Sequence, residues 1–190
     1  MIQEMSVDNV ISLSKGENLQ YQGSYIVKEG FLACKILEQL VYFVQQGDAI
    51  VTQFDSRSLL QFQAKTATNL IKVAEARDYV ILRQQEVVKE RVLQALIAHA
   101  QILSMPAKQR LYVVLYQLGK EMGTKIGTER HIPAIMTQME MASYINCTRE
   151  YLCLIKKQLI EDGWLKKERG WALLDWMRWE LKFSKVLGCV

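Results

Sequence analysis

Residues 136–165, MTQMEMASYINCTREYLCLIKKQLIEDGWL, carry two short helix signals separated by a tight polar turn. Thr137 stands three residues before Glu140, so a hydroxyl and a carboxylate can each satisfy a free backbone N–H at a helix start, as in a capping box. Met141, Ala142 and Ile145 follow at helical spacing, and the small Ala142 admits the close approach of another helix. The pattern breaks at Asn146-Cys147, where Asn tolerates the left-handed geometry of a turn. Thr148 then suits the cap of a second helix, with Glu150 in the first turn where the helix dipole favours negative charge. Leu152, Ile155 and Leu159 make its buried stripe, Gly163 ends it, and Arg149, Glu150, Cys153, Leu154 and Lys157 are left on or near the outer face. The spacing predicts a helix-turn-helix.

Downstream, Trp164-Leu165-Lys166-Lys167 and Trp171-Ala172-Leu173-Leu174 flank Glu168-Arg169-Gly170 in the manner of a small β-hairpin. A hairpin here would be a wing. Winged helices lay the second helix in the major groove of DNA, while the hairpin and the helix starts hold the phosphates.

These residues resemble the DNA-binding signature of the Crp/Fnr family of bacterial transcription regulators. That signature has an acidic residue in the first helix, a small residue, and a Cys-Ser/Thr-Arg-Glu start to the recognition helix; here they are Glu140, Ala142 and Cys147-Thr148-Arg149-Glu150. The resemblance implies that Arg149 and Glu150 contact base edges, that Thr137 and Thr148 contact phosphate, and that Lys157 supports backbone or base contact. Lys166, Lys167 and Arg169 are the expected contacts of the wing. Catabolite-activator members carry a second base-reading Arg four residues after the Glu, where this chain has Leu154. Leucine can only pack, for instance against a thymine methyl, so the preferred DNA site should differ from theirs.

In residues 19–82, short alternating segments such as Tyr25-Ile26-Val27, Phe31 to Ile36 and Leu40 to Val44 are broken by Gly23, Gly30 and Gly47-Asp48. Gln63 to Thr68 and Leu70 to Val73 look like further strands. Even spacing of strands and glycine turns predicts an antiparallel β-roll or jelly roll. VKEGFLACKI and FVQQGDAI resemble the glycine turns of the cyclic-nucleotide-binding roll of Crp/Fnr proteins, in a shortened form. Nucleotide-binding members grip phosphate with an Arg-Gly-Glu sequence and a following Arg; the matching interval here, Ala49 to Phe62, has Arg57 as its only basic residue and no glycine. Cyclic-nucleotide binding is not expected. Nor is an iron-sulfur centre, since Cys34 is the only cysteine before Cys147. No cofactor and no metal are expected, and any small-molecule effector is left open.

About Asp78 to Leu103 the sequence reads as one long helix with two apolar faces. Val88, Val92, Ala95, His99 and Ile102 alternate spacings of four and three as a heptad seam, while Leu93, Leu96, Ile97 and Leu103 occupy another side. Crp/Fnr proteins dimerise through a helix in this position, so the seam is the expected homodimer contact. Ser104-Met105-Pro106 breaks the helix and reads as a hinge, with Pro106 opening the next helix, Ala107 to Met122. His131-Ile132-Pro133 suggests a short strand. In the tail, Trp176, Trp179, Phe183 and Leu187 line one side of a helix, either as core of the winged domain or as a surface for a partner such as RNA polymerase.

Charge agrees with this division. Residues 1–82 hold 7 Lys/Arg against 9 Asp/Glu, and residues 83–190 hold 17 against 11, so attraction to a polyanion is concentrated in the second half. No apolar run approaches the ~18 residues of a membrane span, and the start MIQEMSVDNVISLSKG has no basic segment followed by an apolar block, so a cytoplasmic location is expected. Two histidines, no glycine-rich phosphate loop and no nucleophile elbow leave an enzyme without parts. The expected architecture is α+β: an N-terminal antiparallel, jelly-roll-like β-roll (1–82), a long dimerisation helix with its hinge (83–104), and a C-terminal winged helix-turn-helix domain (105–190). The expected function is a homodimeric, sequence-specific transcription regulator that binds double-stranded DNA at a palindrome. The alternative is a winged-helix interaction module that no longer reads DNA.

Overall fold

The computed structural model describes residues 10–52, 60–73 and 78–185. Arg57, Leu187 and Cys189 lie outside the described residues. The chain divides into two compact units, Met1–Ile97 and Ala98–Val190.

The first unit is an antiparallel β-roll. Its strands are β1 (Val10–Leu13), β2 (Ser24–Glu29), β3 (Leu32–Ile36), β4 (Gln39–Val44), β5 (Ala49–Val51), β6 (Leu60–Ala64) and β7 (Thr68–Lys72). They form two sheets, ordered β1-β7-β2-β5 and β4-β3-β6. The alternation read from the sequence turns one set of side chains inward, and Tyr25, Val27, Leu32, Cys34, Val44, Ile50, Phe62 and Leu70 from both sheets share one core. Gly30 is obligatory where β2 turns into β3: its φ is +92°, and a Cβ would stand 2.5 Å from the Ala67 carbonyl and the Thr68 hydroxyl.

Several sequence expectations need correction. The stretch Gln63 to Thr68 is not one strand, because the chain bends at Lys65–Ala67, where the Thr66 hydroxyl accepts from Phe31 N–H at 3.0 Å and the Lys65 N–H donates to Phe31 O at 2.8 Å. Strands β1 and β5, of four and three residues, lie outside the alternating segments named from the sequence. The β3–β4 hairpin turns on Leu37 and Glu38 at φ 48° and 66°, a two-residue turn that lacks its usual Asn-Gly.

Helix α1 (Asp78–Leu103) has the predicted bounds. Arg91 ties it to the Gly47-Asp48 turn through an ion pair to Asp48 at 2.9 Å, a bond to Phe43 O at 3.3 Å, and a place over the Tyr42 ring at 4.9 Å. Behind that ring Cys34 is fully buried, and burial pushes its thiol up to about 12, which keeps it from acting as a nucleophile.

The seam read from the sequence turns largely into the single chain. Val88 and Ile102 are buried within the chain, and Val92, Ala95 and His99 are half-buried. The outward apolar row is instead Leu93, Leu96, Ile97 and Ala100, at i, i+3, i+4 and i+7. His99 is engaged inside the second unit: its ring stacks on Tyr144 at 4.2 Å and its Nε2 lies 2.7 Å from Tyr144 O.

The second unit continues with α2 (Ala107–Met122), β8 (Thr124–Ile126), β9 (Glu129–Ile132), α3 (Gln138–Tyr144), α4 (Arg149–Glu161), β10 (Trp171–Leu173) and α5 (Trp176–Phe183). The three strands form one sheet ordered β10-β9-β8. Of the tail stripe, Trp179 and Phe183 are core and Trp176 is half-buried, in line with one of the two sequence readings. Trp179 is 0% exposed, with ring centroids 5.0 Å from Trp164, 5.6 Å from Phe183 and 5.8 Å from Tyr112. Trp179→Ala should therefore cost about 3–5 kcal/mol, read as a lower urea midpoint for the second unit.

Ser104–Pro106, read as a hinge, is held from both sides. Ser104 Oγ donates to Gln101 O at 2.6 Å, and Arg110 Nε donates to Met105 O at 2.7 Å. The guanidinium continues to Ile145 O at 3.0 Å and Asn146 O at 3.3 Å, so one side chain pins the start of α2 to the turn between α3 and α4. Nothing in the sequence pattern had marked Arg110.

Candidate nucleic-acid interface

Local chemistry builds the α3–α4 pair as the sequence predicts. Thr137 accepts from Glu140 N–H at 3.1 Å while the Glu140 carboxylate accepts from Thr137 N–H at 2.8 Å, a complete capping box. Asn146 takes φ 50° in the turn, and Cys147 N–H closes on Ala142 O at 2.9 Å. Thr148 caps α4 by accepting from Tyr151 N–H at 3.2 Å. The helix ends at Gly163 with φ 69°, where Trp164 N–H reaches Leu159 O at 2.8 Å and Gly163 N–H reaches Ile160 O at 3.1 Å, the two bonds of a Schellman end.

Leu152, Ile155 and Leu159 are buried, so the opposite face of α4 is presented outward. It carries Arg149, Glu150, Cys153, Leu154 and Lys157, with Leu154 half exposed at 51%. Tyr151, exposed at 43%, also stands at the edge of this face and was not among the residues read from the sequence. The Glu150 carboxyl is held below the usual range by the backbone N–H at the helix start and by the Thr148 hydroxyl. Both Thr137 and Thr148 therefore spend their hydroxyls on local caps. What remains for an anion at these starts is the other first-turn backbone N–H groups and the helix dipole.

The two arms of the expected hairpin pair antiparallel but briefly: Leu165 bridges Leu173, Lys166 N–H donates to Ala172 O at 3.0 Å and Leu174 N–H donates to Trp164 O at 2.9 Å, with Trp164 and Leu165 buried. The main partner of β10 is β9, through Trp171–Ile132, Ala172–His131 and Leu173–Arg130. Of the wing cations, Lys167 and Arg169 are exposed, but Lys166 is paired with Glu129 at 3.1 Å. His131 stands 2.7 Å from the same Glu129 and 3.8 Å from Glu168. The His131 and Lys166 hydrogen bonds hold the Glu129 carboxyl below its ordinary value. Lys157 lies 3.8 Å from Glu161 in an exposed pair that contributes little.

Lys156 is not part of the outer face. Its Nζ donates to the carbonyls of Gly170, Arg169 and Glu168 at 2.9, 3.3 and 3.4 Å and lies 4.4 Å from the Trp171 ring centre. Burial lowers its pKa. The ammonium thus clamps the wing turn to α4, with its carbonyls aimed at the cation instead of outward. Lys156→Met keeps the stem and removes the donors. It should lower stability by about 1–2 kcal/mol and weaken duplex binding without changing sequence preference, by urea melt and mobility shift; unchanged affinity would refute the clamp.

Among the described residues no cluster of three or more His, Cys, Asp or Glu side chains could hold a metal ion, and no helix is long and apolar enough to cross a membrane.

The sequence of residues 109–178 matches the family model of a Crp-like helix-turn-helix domain. No curated protein matches the chain. Among solved structures, a CRP/FNR-family transcriptional regulator from Thermus thermophilus is similar over 90% of this chain and 96% of its own, with a TM-score of 0.70 and 18% identity. A cyclic nucleotide-binding domain containing protein from Listeria monocytogenes shares 18% identity over 90% of this chain and 91% of its own, with a TM-score of 0.66. The c-di-GMP responsive global regulator CLP of Xanthomonas campestris shares 16% over 87% and 92%, with a TM-score of 0.69. Residues 109–178 are accordingly a Crp-like helix-turn-helix domain, carried on a chain with the β-roll and winged-helix fold of the CRP/FNR transcription regulators.

Proposed function

We propose that the protein is a homodimeric, sequence-specific DNA-binding transcription regulator of the cytoplasm, and not an enzyme, with α4 in the major groove. The observation that carries this is the outer face of α4. Arg149, Leu154 and Lys157 stand clear of the fold on a helix whose other face is fully committed to the core. A groove-inserted helix needs that division between packing and reading. Lys167 and Arg169 supply phosphate contacts beside it, and Lys166, tied to Glu129, supplies less.

Dimerisation uses the exposed row Leu93, Leu96, Ile97 and Ala100 in place of the seam read from the sequence. Two helices related by a twofold axis present two copies of α4 about 34 Å apart, one turn of DNA, to a palindrome.

Selection from random duplex DNA tests the reading. A recovered palindrome with half-sites one helical turn apart supports it, and enrichment of no motif defeats it. The Lys166–Glu129 and Lys157–Glu161 pairs favour one rival, a winged-helix module that meets proteins rather than bases. An empty selection is the outcome that rival requires.

A further inference from the structure

Helix α5 buries Trp179 and Phe183 and turns the opposite side outward, where two large apolar side chains stand exposed among Arg178, Glu180 and Lys182. Met177 is 66% exposed and Leu181 is 80% exposed, one turn apart. Between and beside them stand two cations that lie over the rings of the core: Arg178 is 3.8 Å from the Trp164 ring centre, and Lys182 Nζ is 4.8 Å from the same ring and 5.4 Å from that of Tyr112. Lys182 forms a ridge between two depressions. A shallow one of about 540 Å³ is lined by Trp164, Met177, Arg178 and Leu181, with Asp175 at its edge. A deeper one of about 480 Å³ lies among Met105, Tyr112, Val113 and Phe183, with Lys108 at its rim. Asp175 is occupied in capping α5, where its carboxylate accepts from Arg178 N–H at 3.4 Å. Among the described residues no carboxylate forms an ion pair with Lys108, Arg178 or Lys182.

We propose that this face of α5 docks an acidic helical peptide segment of another protein. The segment would place two bulky apolar side chains in the two depressions and carboxylates on Lys182, Arg178 and Lys108. Three other occupants fit less well. A second copy, related by a twofold axis, would set Arg178 and Lys182 against their own images. Nucleic acid would meet the cations but leave Met177 and Leu181 without apolar partners. A lipid surface would need a larger apolar face than two protruding side chains give. Position also suits a partner that binds together with DNA. Arg178 donates to Asp162 O at 3.4 Å, at the C-terminal end of α4, and 13 residues at ~1.5 Å each separate that end from Arg149 by roughly 20 Å.

The test uses the full chain and a fluorescein-labelled peptide of about 16 residues, with Leu and Phe at i and i+4 and Glu flanking them, beside a version with Lys for every Glu. By anisotropy, the acidic peptide should bind at least about tenfold tighter than the basic one, and weaken as salt rises. Leu181→Ser should weaken the acidic peptide by about tenfold with unchanged thermal midpoint, the position being exposed, and Lys182→Glu should weaken it by about tenfold as well. Lys182→Gln keeps the charge arm readable should Lys182→Glu disturb the ring stack. The proposal is overturned by absence of binding at about millimolar peptide, by equal binding of the two peptides, or by indifference to Leu181→Ser. It is also overturned if Leu181→Ser dissociates the dimer in sedimentation, which would make the face a contact between copies, or if duplex DNA displaces the peptide. The outcomes read from the peptides and the Leu181 and Lys182 variants do not depend on whether α4 reads DNA.

Discussion

Leu96→Glu combined with Ile97→Glu should convert the protein to a monomer and remove most of its affinity for a palindromic duplex. Both side chains are about half exposed in the single chain, so the fold loses little when they change. In a twofold pair each would be buried against the partner helix, at about 1.5–3 kcal/mol per side chain, and the substitution adds like charges across the axis. Dimer dissociation should become at least about a hundredfold easier. A regulator that grips two half-sites gains roughly 10²–10⁴ in affinity from the second one, and a monomer forfeits that factor. Sedimentation equilibrium reads the first effect and mobility shift the second. Val88→Ala is the paired control. Because Val88 is 3% exposed within the β-roll unit, it should cost about 1–2 kcal/mol of stability and leave association unchanged. A double variant that stays dimeric, or a Val88→Ala protein that dissociates, would return the contact to the buried seam.

Arg149→Ala should erase base preference while sparing attraction to DNA in general. The guanidinium sits at the first position of α4, exposed and clear of the core, where a bidentate pair to guanine contributes about 1–3 kcal/mol of discrimination. A palindrome doubles this to about 2–6 kcal/mol, so the ratio of specific to random binding should fall by roughly thirtyfold or more. Lys167→Ala and Arg169→Ala should behave differently. Each removes a phosphate contact, weakens all sequences alike and lowers the salt slope by about one per half-site. Lys166→Ala should do so less, because Glu129 already holds that ammonium. Competition assays with specific and random duplexes at several salt concentrations separate the classes. Equal loss of specific and random binding in Arg149→Ala would defeat its assignment.

The parts that were legible in the sequence are those decided within a few residues. Thr137 with Glu140, Asn146 at positive φ, Thr148 as cap and Gly163 as stop each have a local cause, and each took the predicted place. The stripe of Leu152, Ile155 and Leu159 likewise follows from one turn of helix to the next. What the sequence left undecided depends on partners distant along the chain. Helix α1 carries two apolar rows, and periodicity does not say which of them the single chain buries: Val88 turns in and Leu93 out. Lys156 and Lys157 are adjacent and identical, yet the carbonyls of the wing turn capture the first and leave the second exposed. Lys166 was indistinguishable from Lys167 until Glu129 was seen beside it. Leu37 and Glu38 make a turn with residues that give no turn signal, because the strands they join already fix its geometry.

Arg110 holds the turn before α4 by its backbone carbonyls alone, reaching Ile145 O and Asn146 O whatever side chains the following helix presents outward. The angle of α4 is thus set from behind, by backbone carbonyls that no outward substitution removes. Positions 149, 150, 151, 153, 154 and 157 can then be randomised together as a library in which nearly every member folds. New binding preferences become reachable by single steps, without the loss of protein that usually accompanies rewriting a helix.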